Sequence, residues 1–129
     1  MGFNLSRIIS LHWDEAIASI KSGLKEQGFG VLTEIDMQAT LREKIGAELG
    51  RYRILGACNP TFAQKAIDLE GRIGVLLPCN VVVRELEDGS IEVATVNPAE
   101  TMKIVGNPEL ESVAAEIGAR LGRMLESLG

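Results

Sequence analysis

The chain has 129 residues, 46% of them hydrophobic, and carries a formal net charge of −5. That length suits one domain, is short for two, and buries enough surface to fold without a disulfide or a metal. The acidic balance lacks the basic stripe by which nucleic-acid binders hold phosphates, and no run approaches the roughly 20 apolar residues needed to cross a bilayer.

No linker, repeat or low-complexity tract divides residues 1–129, so a single domain is expected. The first ten residues lack a charged stretch followed by a long apolar one. No signal peptide is therefore expected, and the reading places the protein in the cytosol with its two cysteines reduced. The slightly high apolar content fits either a large core or a surface buried in an oligomer, for which a symmetric homodimer is the simplest expectation.

Phe3 to Ile9 reads as a first strand. Ser10 offers an N-cap, Asp14 and Glu15 suit a first helical turn, and Trp13, Ala16, Ile17, Ile20 and Leu24 recur at helical spacing up to Gly28, a left-handed stop. Gly30 to Asp36 is a second strand, Leu41, Ile45 and Leu49 mark a short helix ending near Gly50, and Tyr52 to Gly56 is a third strand. Asn59 as N-cap and Pro60 as first helical residue open a third helix. Ile73 to Leu77 and Val81 to Leu86 are β-prone, with Pro78 marking an edge, bulge or bend between them. Asp88-Gly89 predicts a hairpin to Ile91–Val96. Asn107-Pro108 opens a long last helix with apolar positions from Leu110 to Leu128. A hairpin demands antiparallel pairing, so the order fits an α+β fold with helices on one face of the sheet. No glycine-rich phosphate loop follows a strand at the required spacing.

The residues that carry chemistry are few. Cys58 stands in Gly56-Ala57-Cys58-Asn59-Pro60, just before a helix cap, where amide N–H groups and the positive end of a helix dipole stabilise a thiolate. Cys79 stands in Leu77-Pro78-Cys79-Asn80 at a strand boundary. If their strands are neighbours, the two sulfurs converge at one end of the sheet and suit a transient disulfide, a small ligand or a soft metal ion. The alternative is that both are small hydrophobes in the core. Closed zinc sites need four ligands and catalytic ones three, and the lone His12, beside Trp13, lies far from both cysteines in the chain. Glu34 and Asp36 share a strand face and could divide acid and base roles or hold a hard cation, with Lys44 and Arg42 supplying an anion contact. Against this, Asp36 is placed to cap the next helix, and charged residues are mostly solvated. Gly118 and Gly122, four apart, allow close packing within the chain or against a partner helix. A single histidine leaves no Ser/His/Asp set.

Taken together, Gly28-Phe29-Gly30-Val31 leading to Glu34-Ile35-Asp36, Tyr52 followed by Ile54-Leu55-Gly56-Ala57-Cys58-Asn59-Pro60, and Ile73-Gly74 followed by Leu77-Pro78-Cys79-Asn80-Val81 resemble the domain-of-unknown-function family numbered 302. Val96-Asn97-Pro98 replaces that family's usual aspartate-proline step, so Asn97 is given no acid role. The resemblance runs from about Phe3 to Leu125. It implies a β-α-β(4)-α antiparallel core with inserted short helices, similar to the TATA-binding-protein-like fold and seen as a homodimer; fold likeness carries no DNA binding with it.

The leading expectation is a cytosolic homodimeric binding or thiol-sensing domain. Its site lies at the Cys58/Cys79 end of the sheet, Cys58 is the nucleophile, Cys79 its resolving or co-ligand partner, and Asn59 the group that orients the site. A soft metal on Cys58 and Cys79 is one admissible occupant. Glu34, Asp36 and Lys44 are further pocket candidates. An enzyme using Glu34 or Asp36 as base with Lys44 or Cys58, and a purely structural or interaction domain, are the competing readings.

Overall fold

The computed structural model describes residues 2–129. Strand β1 (Asn4–Ile9) leads to helix α1 (Trp13–Glu26), then β2 (Gly30–Asp36), α2 (Met37–Ile45), β3 (Tyr52–Cys58) and α3 (Pro60–Leu69). A 3₁₀ turn (Ile73–Leu76) precedes β4 (Cys79–Glu85) and β5 (Ile91–Val96); α4 (Pro98–Thr101), a second 3₁₀ turn (Met102–Val105) and α5 (Pro108–Ser127) complete the chain. The strands form one sheet, ordered β1-β5-β4-β3-β2, and every neighbouring pair is antiparallel. This is the expected α+β arrangement: β-α-β(4)-α with α2 and α3 inserted.

Strand alternation divides the sheet into two unlike faces. Ile9, Ile91, Val93, Val81, Val83, Leu55 and Ala57 are buried under the inward stripes of α1, α3 and α5. On the opposite face only Gly56 is buried; Ile54, Val82, Ala94 and Val96 are half-buried, and Ile8 and Ile35 are exposed. Gly56 is required by close approach rather than by its backbone angle. A Cβ there would overlap Thr33 Oγ1 and come within 2.8 Å of Pro78 Cγ.

The clean periodicity of α5 does become the central helix of the core. Asn107 Oδ1 accepts from the N–H groups of Glu109 (3.0 Å) and Leu110 (3.3 Å), and Pro108 supplies a residue with no N–H to orphan. At the other end Arg7 Nη1 donates to the carbonyls of Leu125 (2.7 Å) and Leu128 (2.6 Å), tying β1 to a helix terminus whose partial charge favours a cation. The close approach between helices falls at Gly23, where a Cβ would meet Met124 and Ser127 at 3.2 Å. Gly118 faces Asn97 and Pro98 at ordinary contact distance, and Gly122 faces open space, so the Gly118/Gly122 spacing makes no tight helix seam within the described chain.

Other local expectations are also corrected. Ser10 does not cap α1: the helix begins at Trp13, with His12 at the N-cap and no side-chain bond there. Gly28 does end that helix, at φ +85°, with Phe29 N–H returning to Leu24 O at 2.9 Å. Helix α2 lies earlier than expected, because Asp36 Oδ1 accepts from Ala39 N–H and Gly46, at φ +65°, closes it. Ile73–Leu77 is not a strand. Three residues after Gly71 comes Gly74, and a 3₁₀ turn buries Ile73 while leaving Val75 exposed. Pro78 marks the bend before β4, which is an interior strand rather than an edge. Asp88-Gly89 makes the expected hairpin, with Gly89 at φ +86°.

Candidate functional site

The segment Cys58-Asn59-Pro60 turns the chain from the end of β3 into α3. Asn59 is 8% exposed, and its Oδ1 accepts from Phe62 N–H at 3.0 Å, capping the helix as expected; Pro60 occupies the first turn. Cys58, the last residue of β3, is half-buried. Cys79, the first residue of β4, is buried, and both thiols are free.

The strand register separates the cysteines. Cys79 pairs with Ala57, so Cys58 stands one residue out of step and on the other side of the pleat. The expected cysteine pair is therefore not formed. Burial, with a smaller contribution from Cys58, pushes the Cys79 thiol up to about 11. At neutral pH about one Cys79 in ten thousand is then a thiolate, too few for an effective resolving thiol. Among the described residues no three His, Cys, Asp or Glu side chains group to hold a metal ion.

Both cysteines nonetheless contribute to one cavity of about 290 Å³ at this end of the sheet. Its walls come from the β2 bulge (Leu32), the β3–α3 turn (Cys58, Asn59), α3 (Phe62, Ala63, Ile67) and the approach to β4 (Leu77, Pro78). Leu32 and Ile67 stand exposed at its rim. The lining is almost wholly apolar.

Glu34, Asp36 and Lys44 are not part of it. Glu34 is opposite Leu55, three residues before Cys58, which along a strand is about 10 Å, and it lies on the helix-covered face. Its Oε1 accepts from Lys21 Nζ at 2.7 Å and its Oε2 from Arg53 Nη1 at 3.0 Å. The Lys21 hydrogen bond, aided by the charges of Lys21 and Arg53 and by the Arg53 hydrogen bond, holds its carboxyl below the ordinary range against the opposing effect of desolvation. A carboxylate so occupied is a weak base. Asp36 is committed to the α2 cap, with Arg53 Nη2 at 3.9 Å, and Lys44 is exposed on α2. Arg53 and Arg51 each stand 5.7 Å from the Trp13 ring centre, a cation–π arrangement joining β3 to α1. His12 lies beside the hairpin residues Asp88–Ser90, away from both thiols. Asn97 is buried, its N–H donating to Phe3 O at 2.7 Å, in keeping with a structural position.

Sequence reasoning found the Cys58-Asn59 turn because capping chemistry is local. It missed Leu32, Phe62, Ile67 and Leu77 as a shared wall, since nothing in their spacing announces that a strand bulge, a helix and a 3₁₀ turn enclose one space.

An open-faced antiparallel sheet with its helices on one side and an apolar cleft at one end defines a class of small α+β domain, and the comparisons agree. The model of the family described as "Domain of unknown function DUF302" matches residues 6–128, and the chain belongs to that family. The crystal structure of an uncharacterized conserved DUF302 protein from Bacillus stearothermophilus superposes with a TM-score of 0.92 at 28% identity, covering 98% of each chain. An uncharacterized protein of Aquifex aeolicus (strain VF5) is 24% identical over 91 residues, 70% of this chain and 57% of that one. The match thus spans little more than half the length of that relative.

Proposed function

We propose that this chain is a binding domain that takes a small, largely apolar ligand into the cleft at the β3–α3 turn, with the Cys58 thiol on the cleft wall. The supporting observation is the cleft itself: about 290 Å³ lined by Leu32, Phe62, Ile67, Leu77 and the two cysteines, beside a helix start whose cap is satisfied. Cys58 rather than Cys79 is the thiol a ligand or an oxidant meets, because Cys79 is buried and held neutral. The two-thiol sensor and the soft-metal reading lose support for the same reason.

The test is occupancy. Octan-1-ol should shift the methyl NMR signals of Leu32, Ile67 and Leu77 and slow alkylation of Cys58 by iodoacetamide, and Ala63→Phe should block both effects. Unshifted signals with unchanged alkylation would remove the cleft from consideration.

A second reading concerns assembly. The uncovered sheet face offers Ile8, Ile35, Ile54, Val82, Ala94 and Val96, beside a cross-strand Arg84–Glu92 pair at 2.6 Å. A two-fold related copy laid on this face would cover the patch. Sedimentation of the wild type and of Val82→Glu measures it: a monomer in both cases refutes a homodimer through this face.

A further inference from the structure

Beside the cleft lies a second cavity, of about 180 Å³, formed between α3 and α5. Asn59 and Phe62 line both spaces. The second space differs in chemistry. Thr61, Lys65, Glu116 and Arg120 face it.

Asn59 is more than nine-tenths buried, yet half of its amide is uncommitted. Its Oδ1 is fixed by Phe62 N–H at 3.0 Å, which determines the orientation of the group, and its Nδ2 donates to nothing among the described residues. Asn59 lines the cavity, so this N–H₂ is open to an oxygen placed there, whether water or ligand. Arg120 Nη1 reaches the same place: a Cβ on Gly28 would stand 3.1 Å from Asn59 Nδ2 and 3.2 Å from Arg120 Nη1. Glycine at that position, required by φ +85°, leaves the two nitrogens open. Arg120 is steadied by Gln27 O at 3.2 Å and Glu116 at 3.4 Å. Lys65 has no ion-pair partner among the described residues, and Thr61 N–H lies in the first turn of α3, where backbone donors face outward.

The ionic groups are Lys65 and Arg120 against Glu116, which favours a single negative charge over two. We infer that Asn59, Thr61, Lys65 and Arg120 form a subsite for the carboxylate of an amphipathic monoanion whose apolar tail lies in the Cys58 cleft. The inference rests on the cleft reading above and names its ligand class: a short- to medium-chain carboxylic acid.

The probes are octanoate, octan-1-ol, acetate and octyl phosphate, titrated by calorimetry against the intact chain and two variants. Asn59→Asp keeps the oxygen that caps α3 and replaces the donor by an anionic oxygen, so the fold is retained and the head group repelled. Lys65→Ala removes an exposed charge. Octanoate should bind at least about ten-fold tighter than octan-1-ol, losing about ten-fold or more in Asn59→Asp and about three-fold in Lys65→Ala, with octan-1-ol unchanged in Lys65→Ala, whose side chain lines only the second cavity. Octanoate no tighter than octan-1-ol would overturn the subsite and leave the cleft reading standing. Binding of neither would overturn both. Acetate as tight as octanoate would break the link between head site and cleft, and tighter octyl phosphate would overturn the single-charge assignment.

Discussion

Replacing Gly56 by alanine tests whether the cleft end of the sheet is built as described. Gly56 lies opposite Thr33 on one side and Asn80 on the other, and Pro78 leans over it. A new Cβ would overlap Thr33 Oγ1 and stand 2.8 Å from Pro78 Cγ. Rotating Thr33 relieves that overlap in only the one of its three staggered positions that turns a hydrogen toward the new Cβ. The proline ring can flip its pucker but cannot swing away from the strand. Overpacking of this kind costs about 1–3 kcal/mol, offset by about 0.4–1 kcal/mol from the reduced freedom of the unfolded chain. The net expectation is a loss of about 1–2 kcal/mol, read as a urea midpoint lower by roughly 0.5–1 M with an unchanged slope. Thr33→Ala should restore part of that loss when combined with Gly56→Ala. A Gly56→Ala protein as stable as the wild type would refute the close approach, and with it the packing of Pro78 and Thr33 at this end.

The thiols should separate cleanly. Iodoacetamide at pH 8 on the folded protein should modify one cysteine per chain, and Cys58→Ser should abolish that reaction; equal labelling of Cys79 would contradict its burial. The raised Cys79 value also has a stability consequence. The unfolded chain ionises this thiol near 9.0 and the folded chain near 11, so the folded form binds more protons between them and stability falls as pH rises through that interval. The loss attributable to Cys79 is about 2–3 kcal/mol by pH 11, and it should vanish from the pH profile of Cys79→Ala in urea unfolding. Glu34 works in the opposite direction. Its carboxyl is held below 4.5, so its contribution is present above that pH and fades as the folded form takes up the proton below it. Glu34→Gln should therefore destabilise slightly at neutral pH, by about 0–1 kcal/mol for a pair this exposed, and should match the wild type in strong acid; a difference that persists there would assign the effect to packing instead.

Much of the fold was legible because its signals are local. The helical repeat of α5, the Asn59-Pro60 and Asn107-Pro108 starts, the Gly28 stop and the Asp88-Gly89 hairpin each depend on a few adjacent residues, and each recurs in the structure. The errors fall where tertiary contacts overrule composition. Ile73–Leu77 has strand-like residues, but β4 already has β3 and β5 as neighbours; Ile73 alone is buried, while Leu76 and Leu77 pack partly against the core. Ser10 has the chemistry of a cap, but β1 ends at Ile9 and the chain needs three more residues before α1 can lie on the sheet.

The candidate site shows the same division at finer scale. Sequence position brought both cysteines to one end of adjacent strands, and both do line one cavity. What chain order could not reveal is the parity of the register. Had Cys79 paired with Cys58, both side chains would lie on one face, close enough to exchange with each other. Pairing with Ala57 instead turns one thiol into the core and leaves the other at the rim, so chemistry that needs two sulfurs becomes chemistry that meets one. Asn59 gains importance by the same shift. It stands one residue beyond the rim thiol, its oxygen held by the helix it starts and its nitrogen without an acceptor among the described residues. On the proposed reading, recognition at this end depends on a capping amide and an apolar wall, with Cys58 as a witness to occupancy rather than its cause.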